Sequence, residues 1–308
     1  MAHPTLKQLR YFEALARHGH FGRAADACSI SQPALSVQIR DLEEILSVQL
    51  FERGARQVRL SGFGEEVAPR VRDILRAVDE LTDLSRAAHD GLTGRLRLGV
   101  IPTIAPYLLP TLIRALDASY PGLELHVRET LTSKLMHELA EGRLDAAIVA
   151  LPVSEPAFTE VAIFSEAFVL VRPAADEDQP VPCSNTLRGM RLLLLEEGHC
   201  FRDQALSFCS APSAQPREGL DGSSLSTLVQ MVGAGIGVTL IPEMAVPVET
   251  GATPVSVTRF DSPQPTRTVG MIWRKTSPLA AQLSEVAETV RQSAAGLYGQ
   301  QHPAQDTS

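Results

Sequence analysis

Two α/β subdomains, carried behind a small all-α head and a long connecting helix, are what this sequence of 308 residues predicts. Three observations lead there. Before about residue 60, apolar residues recur at helical spacing in short segments broken by glycines. Residues 65–88 form one unbroken helical pattern, and from residue 96 short apolar strands alternate with helical stretches. That alternation is the signature of a parallel sheet with helices packed on its faces.

The length is long for one domain, and 44% hydrophobic with 21% charged residues suffices to build real cores. The opening "MAHPTLKQLR" lacks the apolar run of an export signal. The longest uncharged run, residues 222–242, carries three glycines at alternate positions and reads as helix, turn and strand rather than a membrane span. A cytoplasmic protein with no membrane partner is expected. Four cysteines, at 28, 183, 200 and 209, are too few for a disulfide scaffold, so their default state is the reduced thiol.

Net charge is −8, yet it is uneven: residues 1–60 hold eight basic and six acidic residues, net +2, against net −10 for the remainder. A basic head on an acidic body suits local phosphate contact.

Leu6, Leu9, Phe12, Leu15 and Ala16 outline the first helix, which stops at "HGHFG". "RAADAC" is a short second helix. Ser31 then caps a third, "QPALSVQIRDLEEIL", with Pro33 at its start where proline is tolerated and Ala34, Leu35, Ile39, Leu42 and Leu46 on one face. "LFERGARQVRL" reads as a hairpin around Gly54. The set is a winged helix-turn-helix over residues 1–60, whose last helix enters the DNA major groove. Ser31, Gln32, Pro33, Ser36, Gln38 and Arg40 are its exposed candidates. The Ser and Gln side chains suit base edges, and Arg40, Arg53 and Arg56 suit phosphates. Double-stranded promoter DNA is the expected partner.

Residues 61–91 are the linker helix, with Pro69 in its first turns and "HDGLTG" ending it. Val67, Val71, Ile74, Val78 and Leu81, at spacings of four and three, form a seam of about two heptads that pairs linker helices between chains. The competing reading packs this helix on its own domain. Residues 92–164 and 266–296 then make the first regulatory subdomain and 165–265 the second, with a polar tail at 297–308.

The stretch 196–209, "EEGHCFRDQALSFC", sets two cysteines nine residues apart. A reactive thiol needs a lowered pKa, which a helix N-terminus and nearby cations supply. Cys200 lies just before a helix predicted from Arg202, with His199 and Arg202 beside it, while Glu196 and Glu197 oppose the effect. An inert buried thiol is the plain alternative. Zinc would want a Cys-x-x-Cys or a second close His, and neither is present, so no metal and no cofactor is expected. "GAGIG" at 233–237 follows a helix and precedes a strand, the reverse of a dinucleotide loop. Cys28 is read as core and Cys183 as a loop thiol.

The run from "LKQLRYFEALARHGHFGRAADACSISQPALSVQIRDLEEIL" through "LFERG" resembles the DNA-binding region of LysR-type transcriptional regulators, and the likeness extends over about 1–293. It implies two Rossmann-like, periplasmic-binding-protein-like regulatory subdomains, a homotetramer built as a dimer of dimers, and contact with RNA polymerase. Within that family, "LLLEEGHCFRDQALSFC" and "IPTIAPYLLP" resemble OxyR-type peroxide sensors. The resemblance implies that Cys200 reacts with hydrogen peroxide, that Cys209 resolves it as a disulfide, and that cellular thiol reductants reset it. It places Thr103, Thr132, His199 and Arg267 at the peroxide pocket, with Arg202 and Asp203 added from their neighbourhood to Cys200. Thr130 rivals Thr132, and Phe260 stands where some relatives carry a further cysteine. The alternative within the same family is a regulator answering to a small organic effector between the subdomains; a thiol peroxidase is disfavoured by the DNA-reading head.

Overall fold

The computed structural model describes residues 3–53, 58–87, 92–182, 187, 189–208, 221–261 and 264–299. The chain divides into two compact units, Met1–Ser85 and Arg86–Ser308.

In the first unit, α1 (Leu6–His18) starts in a capping box between Thr5 and Gln8 and stops at Gly19, whose φ of 60° suits glycine. After α2 (Phe21–Ala27) comes α3 (Gln32–Leu46), with Ser31 Oγ accepting from the Ala34 N–H and Pro33 in its first turn. Phe12, Leu15, Leu35, Ile39 and Leu42 close the core, each contributing about 1.5–3 kcal/mol by burial. Ala34, expected on that face, is exposed instead, because it leads Leu35 by one helical position. Strands β1 (Phe51–Arg53) and β2 (Val58–Leu60) pair antiparallel as the wing.

Helix α4 (Gly62–Ala87) corrects the seam expected in the linker. Val71 is 3% exposed and packs with Ala68, Val67 and Leu75 into the core of its own unit. Phe63, Ile74, Leu81 and Leu84 are the exposed large apolar residues of this helix. Ile74, Leu81 and Leu84, at spacings of seven and three, face away from Val71, so the expected seam joins residues of two different faces. Pro69 lies in the helix interior rather than its first turns, since the helix begins at Gly62.

The second unit is built from two copies of one topology. The first runs β3 (Gly94–Val100), α5 (Ala105–Ser119), β4 (Leu123–Glu129), α6 (Thr132–Ala140) and β5 (Ala146–Leu151). After β6 (Phe158–Pro173) the second runs β7 (Leu192–Leu195), α7 (Cys200–Phe208), β8 (Asp221–Gly222), α8 (Leu225–Gly233) and β9 (Val238–Pro242). The chain finishes with α9 (Val246–Glu249), β10 (Val255–Arg259), β11 (Thr266–Arg274) and α10 (Ala280–Gly299). Among the described residues the strands join in the order β4-β3-β5-β11-β6-β9-β7-β8, with β10 also on β6. The outer triplets β4-β3-β5 and β8-β7-β9 are parallel; β11 and β6 join them antiparallel. β6 passes between the subdomains, its residues 158–167 paired with β11 and 168–173 with β9 or β10. The "GAGIG" segment is the turn between α8 and β9, with Gly235 at φ 75°.

Candidate functional site

In a parallel sheet, ligands collect beyond the carboxyl ends of strands, where helices begin. Here the segments after β3, β4 and β7 meet. Ile101, Pro102, Thr103, Leu131, Thr132, Gly198, His199, Cys200 and Phe201 line one small pocket with a cavity volume of about 10 Å³. Thr132 and Cys200 are the first residues of α6 and α7, and Thr103 lies two residues ahead of α5. Three helix N-termini, with their partial positive charge, therefore border one small space.

Gly198 makes the turn that delivers His199 and Cys200. Its φ of 93° is a glycine conformation, and a Cβ there would stand 3.1 Å from Leu131 Cδ1. Cys200 is half-buried and begins α7, two residues earlier than the sequence pattern suggested. Burial lowers the His199 pKa below the ordinary imidazole value, while Glu196 pulls it back up. Thr132 Oγ1 is buried and has no hydrogen-bond partner among the described residues. An orphaned hydroxyl in a pocket wall suits a ligand that can both donate and accept. Thr132, not Thr130, is the lining residue.

Arg267 is not in the lining. It is 3% exposed, and its guanidinium is taken up by two neighbours: Nε donates to Glu166 Oε1 at 2.7 Å, Nη1 to Thr103 Oγ1 at 2.7 Å, and Nη2 to the Thr103 carbonyl at 3.0 Å. It also lies 5.7 Å from the Phe201 ring centroid, a cation–π distance. Arg267 thus stands behind Thr103. Arg202 and Asp203 are outside the lining as well. Arg202 is buried in the other direction, donating to the Leu195 carbonyl at 2.6 Å and lying 3.2 Å from Asp221, while Asp203 is exposed on the first turn of α7. Glu166, absent from the candidates drawn from the sequence, is buried at the centre of this network.

A second link joins the subdomains nearby. Tyr107 Oη donates to Glu249 Oε1 at 2.7 Å, and Ser226 Oγ to Oε2 at 2.5 Å. Burial and the Glu249 contact push the Tyr107 pKa far above its ordinary value. Cys209 and Cys183 lie outside the described residues. Cys28 is half-buried at the end of α2, where burial raises its pKa.

On α3, Ser31, Gln32, Pro33 and Arg40 are exposed, and Ser36 and Gln38 are half-buried. Gln38 Nε2 lies 3.4 Å from Asp41 Oδ2. Arg53 ends β1, and Arg56 lies outside the described residues. No helix among the described residues is long and apolar enough to cross a membrane, and no three His, Cys, Asp or Glu among them cluster as metal ligands.

Comparison with known proteins agrees with both units. Residues 6–65 match the family described as bacterial regulatory helix-turn-helix protein, lysR family, and residues 89–295 match the LysR substrate binding domain. A probable hydrogen peroxide-inducible genes activator of Streptomyces viridosporus is 44% identical over 295 residues, covering 94% of each chain. The DNA-binding transcriptional dual regulator OxyR of Escherichia coli K12 is 41% identical over 293 residues, 93% of this chain and 95% of the relative. Among solved structures, a full-length Pseudomonas aeruginosa OxyR with a cysteine-to-aspartate substitution has a TM-score of 0.75 at 37% identity, covering 94% of this chain and 96% of that one. A hydrogen peroxide-bound Corynebacterium glutamicum OxyR with a cysteine-to-serine substitution has a TM-score of 0.66 at 34% identity, covering 96% and 94%. The chain belongs to the LysR family of bacterial transcriptional regulators and, within it, to the OxyR-like regulators that respond to hydrogen peroxide.

Proposed function

We propose that this regulator senses hydrogen peroxide by oxidation of Cys200, followed by disulfide formation with Cys209, and so changes transcription of oxidative-stress genes. The observation that carries the reading is the shared pocket: the Cys200 thiol at a helix N-terminus, facing the same small space as the Thr103 hydroxyl and the orphaned Thr132 hydroxyl. Hydrogen peroxide is small and both donates and accepts, which suits those groups. The cavity volume is about 10 Å³, room for a molecule about the size of water, which suits hydrogen peroxide and disfavours a larger organic effector at this pocket. The Corynebacterium relative was solved with hydrogen peroxide bound.

The thiolate sulfur attacks one peroxide oxygen, forming S–O as O–O breaks. Sulfur gives up two electrons, and the second oxygen leaves as hydroxide and takes the proton released by the thiol, giving water and a sulfenic acid. The helix N-termini and the two threonine hydroxyls stabilise that departing charge. Cys209 then displaces water from the sulfenic acid to form the disulfide.

Geometry makes this second step a switch. Along α7, eight rises of about 1.5 Å separate the Cα atoms of Cys200 and Phe208 by about 12 Å. Cys209 follows one peptide later, about 3.8 Å on, so its Cα stays at least about 8 Å from that of Cys200 while α7 is intact. A disulfide spans at most about 7 Å. Forming the bond therefore unwinds α7, displacing buried Phe201 and Ala205 and separating Phe208 from Phe260, whose rings are 5.0 Å apart. In a homotetramer paired through exposed Ile74, Leu81 and Leu84, that repacking resets the spacing of the DNA-binding heads on promoter DNA and their contact with RNA polymerase. So short a loop strains the bond and leaves it open to cellular thiol reductants.

The test is mass spectrometry of peptide 192–217 after one equivalent of hydrogen peroxide. The reading requires a Cys200–Cys209 bond in the intact chain and a trapped sulfenic acid at Cys200 in the Cys209→Ser variant. A Cys200 left reduced would end it.

A further inference from the structure

Glu166 is 2% exposed, sits in the middle of β6 and has no place in the chemistry described so far. A carboxylate is not buried without a task for its charge. Its Cα partner across the strands is Arg267, and Oε1 takes both the Nε donor at 2.7 Å and Nη2 at 2.6 Å. Its other oxygen, Oε2, accepts from the Met244 N–H at 3.3 Å, which anchors the carboxylate to the second subdomain. With those two nitrogens engaged, Nη1 reaches Thr103 Oγ1, which is 2% exposed and lines the pocket beside Cys200.

A threonine hydroxyl has one hydrogen and two acceptor lone pairs. A guanidinium cannot accept, so its bond to Oγ1 occupies a lone pair and leaves the hydroxyl hydrogen for another acceptor. The oxygen that becomes hydroxide when O–O breaks is such an acceptor.

We propose that Glu166 is a positioning residue for the peroxide reaction: through Arg267 it sets Thr103 as a hydrogen-bond donor to the departing oxygen. This rests on the reading of Cys200 as the peroxide-reactive thiol. It assigns Arg267 an indirect role, consistent with a guanidinium that sits behind the pocket wall.

The experiment uses the full chain carrying Cys209→Ser, and measures two rates at Cys200 by mass spectrometry. One is sulfenic acid formation with hydrogen peroxide, trapped by dimedone. The other is alkylation by iodoacetamide, whose leaving iodide needs no threonine donor. Glu166→Gln is expected to slow the peroxide reaction about tenfold or more, a fraction of what losing a whole donor costs, while alkylation stays within about twofold. Thr103→Val should slow peroxide alone in the same way, and adding Glu166→Gln to it should slow peroxide no further. Should Glu166→Gln not fold, Glu166→Asp carries the same expectation, because its shorter side chain keeps the charge and gives up the contact to Arg267. Equal loss of both rates, an unchanged peroxide rate, or multiplying effects in the double variant would each overturn the proposal alone. A parent chain that forms no sulfenic acid at Cys200 would overturn the sensing reading and this proposal with it.

Discussion

Arg267 and Glu166 stand opposite each other in the antiparallel pairing of β11 with β6, both side chains fully buried, with Nη2 2.6 Å from Oε1. Removing one member of such a pair strands the other charge out of water. Arg267→Ala should lower stability by about 3–5 kcal/mol, whereas Arg267→Met combined with Glu166→Leu should cost less than the single change. Urea unfolding followed by circular dichroism measures both. A double variant less stable than Arg267→Ala would contradict this.

Helix α4 carries two apolar faces, one buried in its own unit and one exposed, and the proposed pairing of chains uses the exposed one. Val71→Asp places a charge in the core of the first unit and should cost about 3 kcal/mol or more, unfolding it at moderate temperature. Leu81→Asp, at a position 66% exposed, should leave the melting temperature nearly unchanged and weaken association between chains. Calorimetry with sedimentation velocity separates the two effects. A Leu81→Asp chain that assembles like the parent would remove this face from the interface.

Because burial depresses the His199 pKa, the unfolded chain binds a proton there that the folded chain resists. The unfolded state then holds more protons between the folded value and about 6.5, so stability contributed at neutral pH is lost as pH falls through that window. Urea midpoints between about pH 7.5 and 5 should decline more steeply for the parent than for His199→Gln. Parallel declines would mean that His199 is not desolvated as described.

The exposed start of α3 makes a separable prediction for DNA. Gln32→Ala should cost about 1–3 kcal/mol at one base position and relax preference there, whereas Arg40→Ala should weaken all sequences alike and flatten the salt dependence. Competition binding on a promoter library at two salt concentrations distinguishes them. A uniform effect of Gln32→Ala would move it to the phosphate contacts.

Much of this was legible in the residues. Ser31 and Pro33 announced the start of α3, and the change from helical spacing to short apolar strands announced the α/β body. The errors share a cause: spacing along a chain does not say which way a helical side chain faces. Val71 and Ile74 are three residues apart, as one seam would have them, yet one packs inward and the other faces solvent. Arg202 is close to Cys200 in sequence, but two helical positions turn it by about 200° from that residue, and it leaves toward Leu195 and Asp221. Glu166 was visible as a lone acid in the apolar strand "FSEAFVLV", a sign of a buried partner. Its identity required the register that sets Arg267 across from it, a pairing between residues 101 positions apart.

Hydrogen exchange across residues 196–208, before and after peroxide, tests the central claim most directly. The chain should carry Cys28→Ser and Cys183→Ser, so that Cys200 and Cys209 are its remaining thiols. In the reduced chain the amides of α7 are held by helical bonds and by Arg202 on the Leu195 carbonyl, and should exchange slowly. Once mass spectrometry shows the Cys200–Cys209 bond, those amides should lose protection while β7 and β9 keep theirs. Unchanged protection of α7 in a chain proven to carry that bond would contradict the account.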